Sequence, residues 1–130
     1  ELENSYQFFF PPVVPTHNPL ENVQEIDRRL LEVYENFAFD AVISDDDTEA
    51  IVIMNRLQKL GFEVPRTVGV IGFNNSYLAQ YSNPNLTSVD VSERQLGISA
   101  AKTLVGVLAA DTTSPQVTIL PPRIIERASL

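Results

Sequence analysis

The sequence predicts an α/β domain with a mainly parallel sheet, and three observations carry that prediction. An apolar stretch, Ala41-Val42-Ile43-Ser44, runs into Asp45-Asp46-Asp47 and then into a helical pattern from Thr48 to Leu60. A second apolar stretch, Val68-Gly69-Val70-Ile71-Gly72-Phe73, follows it and ends in Asn74-Asn75. Strand, helix and strand at this spacing make a βαβ unit, whose right-handed crossover sets the two strands parallel. Beyond it, Thr87 to Val91 returns to strand character and leads into another amphipathic helix. Parallel strands point the same way, so Asp45 to Asp47 and Asn74-Asn75 emerge on one edge of the sheet. The lateral gap is ~5 Å if the strands are neighbours and ~10 Å if one strand separates them. Ligands of open α/β sheets lie beyond the carboxyl ends of the strands, which makes these two polar clusters a candidate binding site.

Bulk properties bound the rest. A chain of 130 residues, 44% hydrophobic and 20% charged, is one globular domain by length and holds a real core. No apolar run approaches the ~20 residues of a membrane span, and Glu1-Leu2-Glu3-Asn4 does not open a secretion signal. A start on a residue other than Met predicts a piece cut from a longer chain. The absence of Cys excludes disulfides and thiolate metal sites and fits a reducing compartment. A net charge of -8, with Lys and Arg scattered, argues against contact between this chain and a phosphate backbone.

Each element has a local reason. Tyr6 to Phe10 reads as a short strand by its aromatics, stopped by Pro11-Pro12, with Val13-Val14 as an edge continuation. Asn18-Pro19 is a helix start, with Asn as N-cap and Pro at the first helical position. Val23, Ile26, Leu30, Val33, Tyr34 and Phe37 then form one apolar stripe over about four turns. Ala41 to Ile43 are all apolar rather than alternating, which predicts a strand buried on both faces. The next helix turns Ile51, Met54, Leu57 and Leu60 inward and ends at Gly61. Its apolar sector is wider than one interface requires. Asn74 to Leu86 is polar and turn-rich, with Tyr77 and Tyr81 embedded in it. Ser92 with Gln95 forms a capping box ahead of the stripe Leu96, Ala100, Leu104, Val107 and Leu108. Asp111 to Pro115 is a loop, and Val117 to Leu120 and Ile124-Ile125 are short strands around Pro121-Pro122.

Several chemistries fit the polar clusters. Three adjacent aspartates could serve phosphoryl chemistry through magnesium, receive ligand hydroxyls, or cap a helix. Capping is simplest for Asp47, while Asp46 is either a ligand group or a solvated loop charge. The Asp-x-Asp of haloacid-dehalogenase-like phosphatases wants Thr or Val where Glu49 stands, and a receiver domain needs a Lys that is absent between Lys59 and Lys102. His17, the only histidine, sits in a proline-flanked loop with no serine tied to it, so no triad is indicated. Gly69 and Gly72 lie inside a strand rather than opening a helix, so there is no phosphate-binding loop. Asn74-Asn75 is either a turn or a ligand contact. Tyr77 and Tyr81 are core, ligand-stacking or interface residues. The expectation is therefore a protein without catalytic residues, metal or cofactor.

Taken in order, five segments resemble one family. They are Asp40 to Ala50, Gly61-Phe62-Glu63-Val64-Pro65, Val68 to Asn75, Pro84 to Val89, and Ile124 to Ser129. Together they are similar to the carboxyl-terminal part of the effector-binding region of the lactose- and galactose-repressor family of bacterial transcription regulators. The resemblance implies a periplasmic-binding-protein-like type I fold, here a three-layer α/β lobe, with a sugar or similar effector held between two lobes. Residues 1–91 would be the carboxyl-terminal lobe, 92–120 elements that pack on a lobe outside this chain, and 121–130 a return strand. It further implies effector contacts at Asp46, Asn74 and Val91. Asp46 stands where the family usually has Asn, and Asn74 where it usually has Asp. A homodimer interface at Ala50, Ile51, Met54, Leu57 and Tyr81 follows from the same resemblance, as does a cytoplasmic regulator that reads DNA through a helix-turn-helix outside this chain. A solute-binding protein of a transport system, on the same fold, is the alternative. In this fragment the helix from Ser92 to Ala109 should pack abnormally, exchange between chains or leave its stripe exposed.

Overall fold

The structure, a computed structural model, describes residues 19–110 and 117–130. The expected strand at Tyr6 to Phe10, His17, the Asn18 cap and the loop at Asp111 to Pro115 lie outside the described residues. The chain forms two compact units divided after Ala38. In the first, helix α1 spans Pro19–Phe37, longer than the four turns expected. Its exposed side carries ion pairs at helical spacing, Glu25 with Arg28 at 2.8 Å and Arg28 with Glu32 at 2.7 Å. Hydrogen bonds from Arg28 and Arg29 hold the Glu25 carboxyl down at about 2. The helix stops at Ala38, whose φ of 45° is left-handed.

In the second unit, strands β1 (Ala41–Ile43), β2 (Gly69–Phe73), β3 (Thr87–Asp90) and β4 (Arg123–Ile125) form one sheet in that order. β1 to β3 are parallel and β4 returns antiparallel to β3. Helix α2 (Asp47–Lys59) is the crossover from β1 to β2, and the short α3 (Tyr77–Tyr81) lies between β2 and β3. Helix α4 (Glu93–Ala110) joins β3 to β4.

Packing follows from these crossovers. α2 lays Ala50, Met54 and Leu57 on β2, where all three reach zero exposure together with Val68, Val70, Ala79 and Leu86. Burying each large apolar side chain contributes roughly 1.5–3 kcal/mol, so this face anchors the lobe. The chain's end stitches the sheet from outside it. Ser129 Oγ donates to the Val70 carbonyl at 2.6 Å and accepts from the Thr87 N–H at 2.8 Å. Arg127 donates to the Leu86 carbonyl and to Asn75 Oδ1, each at 2.6 Å.

The structure corrects four local expectations. β1 is not buried on both faces: Val42 is buried, but its neighbour Ile43, which points to the opposite face, is 73% exposed. Asn74 to Leu86 is not all turn, since Tyr77–Tyr81 is helical. Residues Val117 to Leu120 form no strand. Ser92 precedes α4 but has φ 55°, not the extended backbone of an N-cap, and its N–H donates to Asp90 Oδ1 at 2.7 Å.

Candidate functional site

The carboxyl ends of β1, β2 and β3 share one rim because the three strands are parallel neighbours. Ile43 is registered with Ile71, and Asp46 and Asn74 each lie three residues beyond that pair. Val91 follows β3 on the same rim. The structure therefore brings Asp46, Asn74 and Val91 together, and each is half-buried rather than sunk in the core.

Asp46 is the N-cap of α2, with extended backbone and Oδ1 accepting from the Thr48 N–H at 2.6 Å and the Glu49 N–H at 3.3 Å. This reverses the expected division of labour among the aspartates. Asp46 does the capping, and Asp47, expected to cap, is the first helical residue and is only 1% exposed. The cap occupies one carboxylate oxygen of Asp46 and leaves Oδ2 without a hydrogen bond among the described residues. Nearby, burial pushes the Glu49 carboxyl up, and the charges of Asp45 and Asp46 push in the same direction.

Asn74 and Asn75 both have left-handed backbone, φ 87° and 49°. Asparagine tolerates this region better than most residues, which is why the turn reading of the pair and its use at a site are compatible. The Asn74 N–H donates to the Val89 carbonyl at 2.8 Å. Its carboxamide makes no hydrogen bond among the described residues, whereas that of Asn75 is taken by Arg127. The two asparagines thus differ: the Asn74 carboxamide is left open among the described residues, and that of Asn75 is held by Arg127. One further polar atom of this loop, Ser76 Oγ, is buried without a partner among the described residues.

The residues expected at a subunit interface separate in the same way. Ala50, Met54 and Leu57 have zero exposure within this chain and form part of its core. Ile51 is half-buried, and Tyr81 is 80% exposed. Tyr77, four residues before it on α3, is 71% exposed, and Val52 on the outer side of α2 is exposed as well.

Sequence reasoning missed the role of Asp47 and the part played by Ser88. The signal was a glycine inside a buried strand. Gly72 is registered with Ser88, and a Cβ at Gly72 would collide with the Asp47 carboxylate and lie 2.8 Å from Leu86 Cδ2. A glycine in a strand interior marks a place where other atoms approach the backbone closely. Among the described residues, no cluster of His, Asp or Glu could hold a metal ion, and no helix is long and apolar enough to cross a membrane.

A mainly parallel sheet with open polar groups beyond the carboxyl ends of three strands defines the class: an α/β lobe of the periplasmic-binding-protein-like kind. Residues 10–130 match the periplasmic binding protein-like domain. The transcriptional repressor PurR of Vibrio cholerae serotype O1 (strain M66-2) is 33% identical over 112 residues, which cover 83% of this chain and 33% of the repressor. Among solved structures, a transcriptional regulator CelR–cellobiose complex superposes with a TM-score of 0.74 at 28% identity, over 84% of this chain and 33% of that one. A LacI family transcriptional regulator from Arthrobacter sp. FB24, in complex with lactose, gives 0.71 at 26% identity, over 84% of this chain and 40% of that one. The chain belongs to the periplasmic binding protein-like domain family, within its lactose- and galactose-repressor branch. It spans about a third of the length of the curated repressor compared above.

Proposed function

We propose that this chain is the effector-sensing part of a bacterial transcriptional repressor, and that its rim takes a sugar or a similar hydroxylated small molecule. The observation that carries this reading is the pairing of Asp46 and Asn74 on adjacent parallel strands, each with polar atoms left open. A carboxylate accepts and a carboxamide both donates and accepts, which suits hydroxyl groups that do both. Val91 supplies an apolar contact on the same rim. The cellobiose and lactose complexes of the two similar regulators support a sugar.

In this reading the effector shifts the balance between two lobe arrangements and so alters the affinity of a helix-turn-helix, outside this chain, for DNA. Such a regulator works in the cytoplasm. Residues 92–120 belong against a second lobe outside this chain, which accounts for an α4 whose Leu96, Leu104, Val105 and Leu108 are all exposed. Subunits of a homodimer meet at the outer side of α2 and α3, through Ile51, Val52, Tyr77 and Tyr81, while Ala50, Met54 and Leu57 support that surface from beneath.

Calorimetry of the full-length protein with a sugar panel that includes cellobiose and lactose tests the site. Wild type binds a member of the panel, and Asp46→Ala lowers its affinity at least tenfold. Because Asp46 also caps α2, the Ala variant costs about 1 kcal/mol of stability. Asp46→Asn keeps a capping oxygen and isolates the effect of the charge. Unchanged affinity in both Asp46→Ala and Asn74→Ala, or a wild type that binds no sugar, overturns the reading.

A further inference from the structure

The most enclosed acidic group of the rim is one that the proposed effector contacts do not use. Asp47 is 1% exposed, and its two oxygens take different partners. Oδ1 accepts from Ser88 Oγ on β3 at 2.6 Å, and Oδ2 accepts from the backbone N–H of Ser76. Ser88, itself fully buried, uses the same hydroxyl oxygen to accept from the Asn75 N–H at 2.9 Å. With the Asn74 N–H on the Val89 carbonyl, three successive amides of the loop are fastened to β3 and to the start of α2.

These amides belong to a segment that would not hold its shape unaided. Two consecutive residues in left-handed backbone are costly for side chains other than Gly, and such a conformation persists only where its surroundings impose it. An apolar residue at position 47 or 88 would leave part-buried N–H groups without these acceptors. Asp47 fills this place because Gly72 has no side chain: the carboxylate occupies the space where a Cβ would stand. The same residue immediately follows Asp46 in sequence. One buried carboxylate therefore touches both halves of the rim, the α2 start that carries Asp46 and the loop that carries Asn74.

We propose that Asp47 and Ser88 are the positioning residues of the effector site, a buried clamp that sets the backbone of residues 74–76 and through it the direction of the Asn74 carboxamide relative to Asp46. The clamp deepens the effector-site reading above and rests on it for its purpose, though not for its geometry. It touches no ligand. Its effect is to hold two ligand contacts at one spacing before the ligand arrives, so that binding does not have to order the loop.

Amide hydrogen exchange resolved by residue, on the full-length protein, separates this role from a general contribution to the core. In Ser88→Ala, exchange at Asn75 accelerates at least tenfold while the amides of Ala50 to Leu57 in α2 keep their protection. In Asp47→Ala both Asn75 and Ser76 lose protection. In Asp47→Asn the remaining side-chain oxygen still accepts from Ser76, so protection at Ser76 survives. Cellobiose and lactose are the binding probes, and affinity for whichever wild type binds falls at least tenfold in Ser88→Ala and less in Asp47→Asn. Unchanged exchange at Asn75 in a folded Ser88→Ala overturns the proposal, as does acceleration spread evenly over the lobe. Should Asp47→Ala fail to fold, Ser88→Ala decides by the same measurement. A wild type that binds neither sugar would count against the sugar reading, while the exchange result still decides the clamp.

Discussion

Helix α2 buries Ala50, Met54 and Leu57 completely, whereas α4 leaves Leu96, Leu104 and Leu108 at 52%, 60% and 75% exposure. Both helices carry apolar residues at three- and four-residue steps, and both follow a strand of the same sheet. The difference lies in what each connection returns to. α2 joins two adjacent parallel strands and must cross over the face of the sheet between them, so its stripe meets β2. α4 joins β3 to an antiparallel neighbour, a connection that does not oblige it to cover the sheet. Periodicity reports that a helix face seeks burial; it does not say against what.

The sharpest way to break this comparison is truncation on the two stripes. In the 130-residue chain, Leu57→Ala removes a fully buried side chain and should cost about 3 kcal/mol, within the usual range for such cavities. Leu108→Ala should stay within about 0.5 kcal/mol, as for an exposed site. Urea titration of both variants checks this, and similar losses would mean that α4 is packed after all.

A second prediction tests why α2 starts where it does. Gly72→Ala places a methyl group against Asp47 and 2.8 Å from Leu86 Cδ2, so one of them must move. The expected loss is about 2 kcal/mol, that of an overpacked core, read as a lower urea midpoint at unchanged slope. A neutral result would show that the start of α2 yields easily, and the contrast with α4 would weaken.

The smallest effect concerns charge at the same helix start. The folded Glu49 carboxyl titrates above its ordinary value because of burial, with Asp45 and Asp46 adding to it. A raised folded value means that the stability linked to its protonation is fully present below the ordinary carboxylate range and is lost as pH rises through the raised value. Glu49→Gln removes that dependence. Its melting temperature should therefore lie closer to wild type in acid than at neutral pH, where the variant is the more stable by a few tenths of a kcal/mol. A wild type that gains relative stability as pH rises through this range would reverse the sign. Glu25 behaves oppositely: its carboxyl is held at about 2 by Arg28 and Arg29, so its contribution disappears only as pH falls from 4.5 toward that value. Those pairs reach solvent in part, so they weaken further in salt.

Much of the lobe was legible before any coordinates. Continuous apolar runs at Ala41 to Ile43 and Val68 to Phe73 declare strands, and the helical spacing of Met54 and Leu57 declares the crossover between them. Chain direction alone then sends Asp46 and Asn74 to one rim, because a parallel pair has no other arrangement. The polar loop after Asn75 was harder. A helix of five residues is too short to show a period, so Tyr77–Tyr81 read as turn. The roles within Asp45-Asp46-Asp47 were hidden for a different reason. Adjacent aspartates have equal intrinsic preference for a cap, and a shift of one residue rotates a side chain by ~100° around the helix axis, from solvent to core.

The sequence by itself determined the order of elements, the parallel pairing of the central strands and the edge on which the polar groups gather, since each follows from local periodicity and from the handedness of short connections. Only the tertiary structure decided which aspartate caps and which is buried, that Ser88 and Asp47 share the space Gly72 leaves empty, and that the stripe of α4 has no face to cover in this unit. Those outcomes depend on atoms far apart in the chain competing for the same few cubic ångströms, and local pattern carries no record of that competition.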